Sequence, residues 1–112
     1  MRKENRIKKS EEFQSIIKRR KKISNETFVM FYVPKAEEKG RLGISASKKM
    51  GHAVTRNKLK RQLRMMIMEL VDFSELPFDG VIIIKEKFKE QSYIQNKKDL
   101  DLLINRIKKG KI

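Results

Sequence analysis

The sequence predicts a small α+β sandwich, a mixed sheet of three to four strands packed with three helices. Three features carry that expectation. The run TFVMFYV, Thr27 to Val33, is rich in β-branched and aromatic residues, which suit a pleated, packed surface. The run VIIIK, 81–85, is short and apolar up to its lysine, as an inner strand covered on both faces requires. Two further stretches repeat apolar residues at intervals of three and four, the period of a helix with one buried stripe.

In chain order, Ser10 is placed to cap a first helix reaching about Lys21, with Glu11 and Glu12 in its first turn and Phe13, Ile16 and Ile17 on its apolar side. Ser24 and Asn25 mark a turn, and Ile23 has room for one very short extra strand. In the strand Thr27 to Val33, Phe28, Met30 and Tyr32 share one face and Val29, Phe31 and Val33 the other, so both faces need cover. Pro34 ends it. After a polar turn at Gly40, Arg41 to Ser47 alternates Leu42, Ile44 and Ala46 with Gly43, Ser45 and Ser47, a strand expected to form a hairpin with its predecessor. Gly51 marks a bend, and a second helix starts near Ala53 with Leu59, Leu63, Met66, Ile67 and Leu70 as its stripe. DFSELPFDG, 72–80, reads as a loop before VIIIK. Ser92 and Gln95 form a capping box for a last helix that buries Leu100, Leu103, Ile104 and Ile107 and stops at Gly110. The order is α-β-β-(β)-α-β-α.

A chain of 112 residues supports one domain, 1–112, with residues 1–8 as a flexible basic lead-in and 110–112 as a tail. The 29 Lys and Arg against 14 Asp and Glu leave a net charge of +15, an excess that calls for a polyanionic partner. Without cysteine there are no disulfides or thiolate metal sites. No apolar run approaches the length of a membrane span and no signal peptide is apparent, so a cytoplasmic address is expected.

The charge is concentrated. From Lys39 to Met68 there are nine Lys or Arg and no acid, where an even spread would place about four, and an ordinary solvated surface mixes signs. At 100° per residue, Arg56, Lys60, Arg64, Asn57 and Arg61 share an arc of about 140° separate from the apolar stripe, while Lys58 lies off it and Lys48 and Lys49 precede the helix. Like charges on one helix face repel, and the i,i+4 acid–base pairs that would relieve them are absent. Phosphates spaced along a backbone would relieve them instead. A membrane-surface helix would carry aromatic anchors beside the charge, and a helix-turn-helix would place another helix, not a strand and a glycine, before the basic one. Phe31, or Tyr32 on the other face, offers a ring for unstacked bases, although core packing is the ordinary fate of either. The basic clusters KRRKK, 18–22, and RIKKGKI, 106–112, read as soluble helix ends.

Catalysis by side chains has little to draw on. His52 is the only histidine, and Glu11/Glu12, Glu37/Glu38, Asp72/Glu75 and Asp99/Asp101 suit a helix start, a turn, a helix end and an exposed helix face respectively. No Walker loop, G-x-G-x-x-G or zinc-finger spacing occurs. No catalytic residue and no metal ligand is assigned.

SEEFQSIIK, FVMFYV, LGISASKKMGHAVTRNKLKRQLR and GVIIIK, in this order and at these separations, resemble the bacterial ribonuclease P protein subunit from about Arg6 to Lys109. The most specific element is K-K-x-G-x-A-V-x-R-N-x-x-K-R-x-x-R, met by Lys48, Lys49, Gly51, Ala53, Val54, Arg56, Asn57, Lys60, Arg61 and Arg64. The resemblance implies a ribosomal protein S5 domain 2-like fold with a left-handed βαβ crossover, against the usual right-handed rule. It also implies a ribonuclease P subunit, part of an endoribonuclease whose RNA subunit, with Mg²⁺ held mainly by RNA, cleaves the 5′ leader from precursor tRNA. On that basis Lys48, Lys49, Arg56, Asn57, Lys58, Lys60, Arg61 and Arg64 face the catalytic RNA, and Phe13, Ile17, Lys18 and Phe31 form a cleft for the single-stranded leader. The protein alone is expected to be a monomer. Three positions depart from the family pattern: Lys58 replaces an arginine and lacks its planar fork, Ile17 stands where the cleft usually has an aromatic ring, and His52, commonly Asn, is expected to cap the helix or meet a phosphate. The alternative function is a ribosomal or other assembly-type RNA binder with no nuclease role; an autonomous nuclease is a third class.

Overall fold

Both faces of the aromatic strand are apolar, and the computed structural model, which describes residues 1–110, covers them unequally. Four strands, β1 (Lys22–Ser24), β2 (Phe28–Pro34), β3 (Leu42–Ala46) and β4 (Phe78–Ile84), form one sheet in the order β1-β2-β4-β3. β2 is antiparallel to β1 and β4, and β3 is parallel to β4. The helices are α1 (Ser10–Lys18), α2 (Ala53–Leu70), the short α3 (Lys87–Glu90) and α4 (Tyr93–Lys109). Against one face, Leu59, Leu63, Met66 and Ile67 of α2 and Leu100, Leu103, Ile104 and Ile107 of α4 pack on Phe28, Met30, Leu42 and Ile82. Against the other, α1 lays Ile16 on Val33 and Val81, with Ile7 completing the cluster.

The expected hairpin between β2 and β3 does not form. β4 lies between them, and its nearly all-buried pattern explains why: the most continuously apolar strand takes a position with a neighbour on each edge. The parallel β3–β4 pair in turn requires a crossover, which α2 supplies. β4 also begins earlier than VIIIK, at Phe78, so the end of the supposed loop is strand. Its second residue, Asp79, is buried and organises the link from β2 to β3 by accepting from the Arg41 amide at 2.9 Å and the Arg41 guanidinium at 3.2 Å.

α1 ends at Lys18, short of Lys21, because Arg20 adopts the left-handed conformation at φ 60 and turns the chain into β1. A non-glycine residue there costs on the order of 1 kcal/mol. Ser10 does not cap α1; Lys9 precedes the helix and no side chain closes it. Ser92 does cap α4, accepting from the Gln95 amide at 3.1 Å, but Gln95 reaches forward to Asp99 and so completes only half a box. Asp99 is not on an exposed face either, since it accepts from Thr27 Oγ1 at 2.7 Å and ties α4 to the start of β2. Burial pushes its carboxyl up, yet the bonds from Thr27, Gln91 and Gln95 outweigh that and hold it below the usual range. α3 went unread because one turn is too short to show a period; buried Phe88 anchors it edge-on to Phe28.

Residues 3–5 form a 3-10 turn, Arg6 bridges to Leu42, and the Ile7 amide donates to the Leu42 carbonyl at 3.1 Å. The N-terminal segment thus runs along the outer edge of β3. Of the expected tail 110–112, Lys111 and Ile112 lie outside the described residues.

Candidate nucleic-acid interface

Two surfaces emerge, and each is set by what the elements bury. Gly51 has φ 131, a conformation open to glycine, and separates α2 from a 3-10 turn over Lys48–Met50. Met50 points into the core, which leaves Lys48 and Lys49 exposed. Burial of Leu59, Leu63, Met66 and Ile67 then orients the rest of α2: Asn57, Lys58 and Arg61 are exposed, and Arg56, Lys60 and Arg64 are half-buried. The ion pairs among the described residues involve Arg2, Arg41 and Lys97, and none of these seven cations takes part.

Nε of Arg56 and Nε of Arg64 are shielded from solvent without a hydrogen-bond partner. Burial, followed by the nearby charges of Arg6 and Arg61, lowers the Arg64 pKa from its ordinary value. An anion held against the half-exposed side chains of Arg56 and Arg64 would relieve the crowding of like charge. His52 sits at the N-cap position of α2 but its exposed side chain makes no cap bond, so the capping half of its expected role is not met.

The second surface lies on the sheet face under α1. The register sets two rows across it: Lys22, Phe31, Val81 and Gly43, then Ser24, Val29, Ile83 and Ser45. α1 closes over the first row at its Gly43 end, where a Cβ would lie 2.5 Å from Phe13 Cε2, so the missing side chain admits the ring. α1 stops before the second row, and Val29, Ile83 and Ser45 remain half-exposed. α1, carrying the partly buried Phe13 and Ile17, thus stands beside a floor that holds the partly buried Phe31 and Ile83, and the angle between helix and floor is the candidate cleft. Lys18 is exposed at the end of α1, and Lys22 Nζ sits 5.5 Å from the Phe31 ring centroid. Tyr32 faces the other way, edge-on to Phe78 with ring centroids 6.0 Å apart, and takes no part.

Glu12 of α1 fixes the helix over the cleft by accepting from Arg41 at 2.7 Å, and Arg41 is held in turn by Asp79. The Arg41 hydrogen bond keeps the Glu12 carboxyl below its usual pKa.

Sequence reasoning missed three residues here. Arg6 stands with Phe13, Lys60 and Arg64 around a groove that connects the two surfaces; Lys22 meets Phe31; Ile83 floors the cleft. The alternation of VIIIK places Val81 and Ile83 on one face, but only the register shows that this is the face Phe31 occupies. Among the described residues no group of three or more His, Asp or Glu side chains is placed to hold a metal ion. No helix among the described residues is long and apolar enough to cross a membrane.

Residues 1–108 match the family described as Ribonuclease P. The chain belongs to the ribonuclease P protein family. It is 43% identical over 104 residues to the ribonuclease P protein component of Mesoplasma florum, covering 92% of this chain and 94% of that one. Its fold matches a mutant RNase P protein from Staphylococcus aureus with a TM-score of 0.83 at 34% identity, over 95% of this chain and 90% of that one. The RNase P protein from Thermotoga maritima matches with a TM-score of 0.75 at 30% identity, over 89% and 96% respectively. The mixed α+β fold read from the sequence is therefore that of ribonuclease P proteins, and the chain has its role within that enzyme.

Proposed function

We propose that this protein docks on the catalytic RNA of ribonuclease P through the basic side of α2 and holds the 5′ leader of precursor tRNA in the cleft beneath α1. Cleavage belongs to the RNA, with Mg²⁺ held mainly by that RNA. The observation that carries this reading is the separation of the two surfaces: a cationic stripe whose shielded guanidinium nitrogens lack acceptors, and an apolar, aromatic floor left uncovered by a short helix. A folded RNA offers phosphates to Lys48, Lys49, Arg56, Lys60, Arg61 and Arg64, with Asn57 and Lys58 beside them; an unstacked leader base offers a ring face to Phe31. Phe13 and Ile17 supply apolar contact on the wall, and Lys18 a phosphate contact at the rim. Lys58, as a point charge, binds a phosphate without the two-pronged geometry of an arginine.

The decisive experiment incubates purified protein with precursor tRNA and Mg²⁺, with and without the RNA subunit. Cleavage is expected only when the RNA is present. Cutting by the protein alone overturns the proposal.

A further inference from the structure

The turn between α1 and β1 carries five consecutive cations, Lys18 to Lys22, all exposed and none in an ion pair among the described residues. We propose that this turn extends the leader site, gripping leader phosphates beyond the base held at Phe31, with Lys18, Arg20 and Lys22 as the contacts. The inference rests on the cleft being the leader site.

The turn adjoins the cleft. The turn begins directly after Ile17 on the cleft wall and ends at Lys22, which pairs with Phe31 and places its ammonium above that ring. It therefore closes one end of the cleft. Single-strand binders combine a stacking platform with a cationic track along the backbone, and here the platform and the cations adjoin. Lys21 is not part of the track, because its ammonium lies over Tyr32, on the opposite face of the sheet, at 5.3 Å from the ring centroid. Arg19 lies on the far side of α1 in a hollow shared with Glu11 and Glu12.

The conformation of the turn points the same way. Arg20 has φ 60 and its amide donates to the Ile17 carbonyl at 3.0 Å, the arrangement that ends many helices in a glycine. A β-carbon is unfavourable at that φ, so a turn selected for stability alone would carry glycine. Solubility does not require a charge at this position either, since four neighbouring cations already supply it. An anion held by the Arg20 side chain would offset the cost of placing a β-carbon at that φ.

The test uses the holoenzyme, protein plus RNA subunit, with precursor tRNA carrying either a short leader confined to the cleft or a long leader that passes the turn. Arg20→Gly should melt at the same temperature as the parent or higher, while the affinity advantage of the long leader falls about two- to fivefold, as expected for one exposed charge contact. The salt dependence of long-leader binding should flatten by about 0.7 in log–log slope, one single-strand phosphate. Arg20→Lys should restore the advantage. Phe31→Ala is the companion measurement. If it weakens leader binding while Arg20→Gly leaves the long-leader advantage intact, the turn is a solubilising element and the inference is overturned, with the cleft reading standing. If neither variant affects leader binding, the cleft reading fails and the inference fails with it.

Discussion

The two faces of the sheet are built from similarly apolar strands and end up in opposite conditions. Toward α2 and α4, Met30, Ile82, Leu63 and Leu100 are completely buried. Toward α1, Val29, Phe31 and Ile83 keep part of their surface in water. The difference lies in the covering helices: α2 and α4 have 18 and 17 residues, whereas α1 has 9. At 1.5 Å per residue α1 extends about 13 Å, and the longer helices extend about twice as far. The number and length of the covering helices, not strand composition, therefore decide how much apolar floor stays open, and a left-handed arginine sets the length of α1 at its C-terminal end.

The comparison breaks first on stability. Leu63→Ala, in the closed layer, should cost about 2 to 5 kcal/mol in urea unfolding, whereas Ile83→Ala, in the open layer, should cost about 1 kcal/mol. Equal losses would mean that the two faces are equally packed. Next comes binding. Phe31→Ala should cost about 1 to 3 kcal/mol of affinity for leader-bearing precursor tRNA, from base stacking, with a much smaller change for tRNA lacking a leader. A uniform loss on both substrates would make the ring a core residue.

The basic surface of α2 should respond differently. Arg61 is exposed and buries nothing, so Arg61→Ala should leave stability within about 0.5 kcal/mol and lower the salt slope for binding the RNA subunit by about one. An unchanged slope would remove Arg61 from the docking surface. The smallest effect concerns acid. Glu12 and Asp99 are held below their ordinary pKa values in the folded state, so the unfolded chain takes up their protons first as pH falls. Their stabilising contribution is complete above the ordinary carboxylate range and is lost as pH drops through the folded-state values. Thermal melts from neutral to acid pH should show this decline, and Glu12→Gln, which removes one of the two groups, should make it shallower.

Local patterns in the chain were legible and pairings were not. The stripe of α2, the two faces of β2, the extra strand at Ile23 and the Ser92 cap all follow from spacing within a few residues. The basic side of α2 is legible for the same reason, because burying one stripe fixes the helix rotation and leaves the basic arc beside it, exposed at Asn57, Lys58 and Arg61 and half-buried at Arg56, Lys60 and Arg64. The supposed β2–β3 hairpin failed because strand partners compete, and the apolar β4, some forty residues on, displaces β3 from the edge of β2. Asp79 sits in a stretch that reads as a loop, because its role depends on Arg41, far away in the chain, and the place of Arg6 depends on the outer edge of β3.

The sequence by itself determined the period of each element and the side on which charge gathers, because these depend on neighbours within one or two turns, and it carried the resemblance that names the family in segments spread along the chain. Only the tertiary structure decided that Phe31 and Ile83 share a floor, that Phe13 closes on it over Gly43, and that α1 leaves half of it open. Those outcomes rest on which strands win each other's backbone hydrogen bonds and on how far a short helix reaches, and neither is written in any single stretch of the chain.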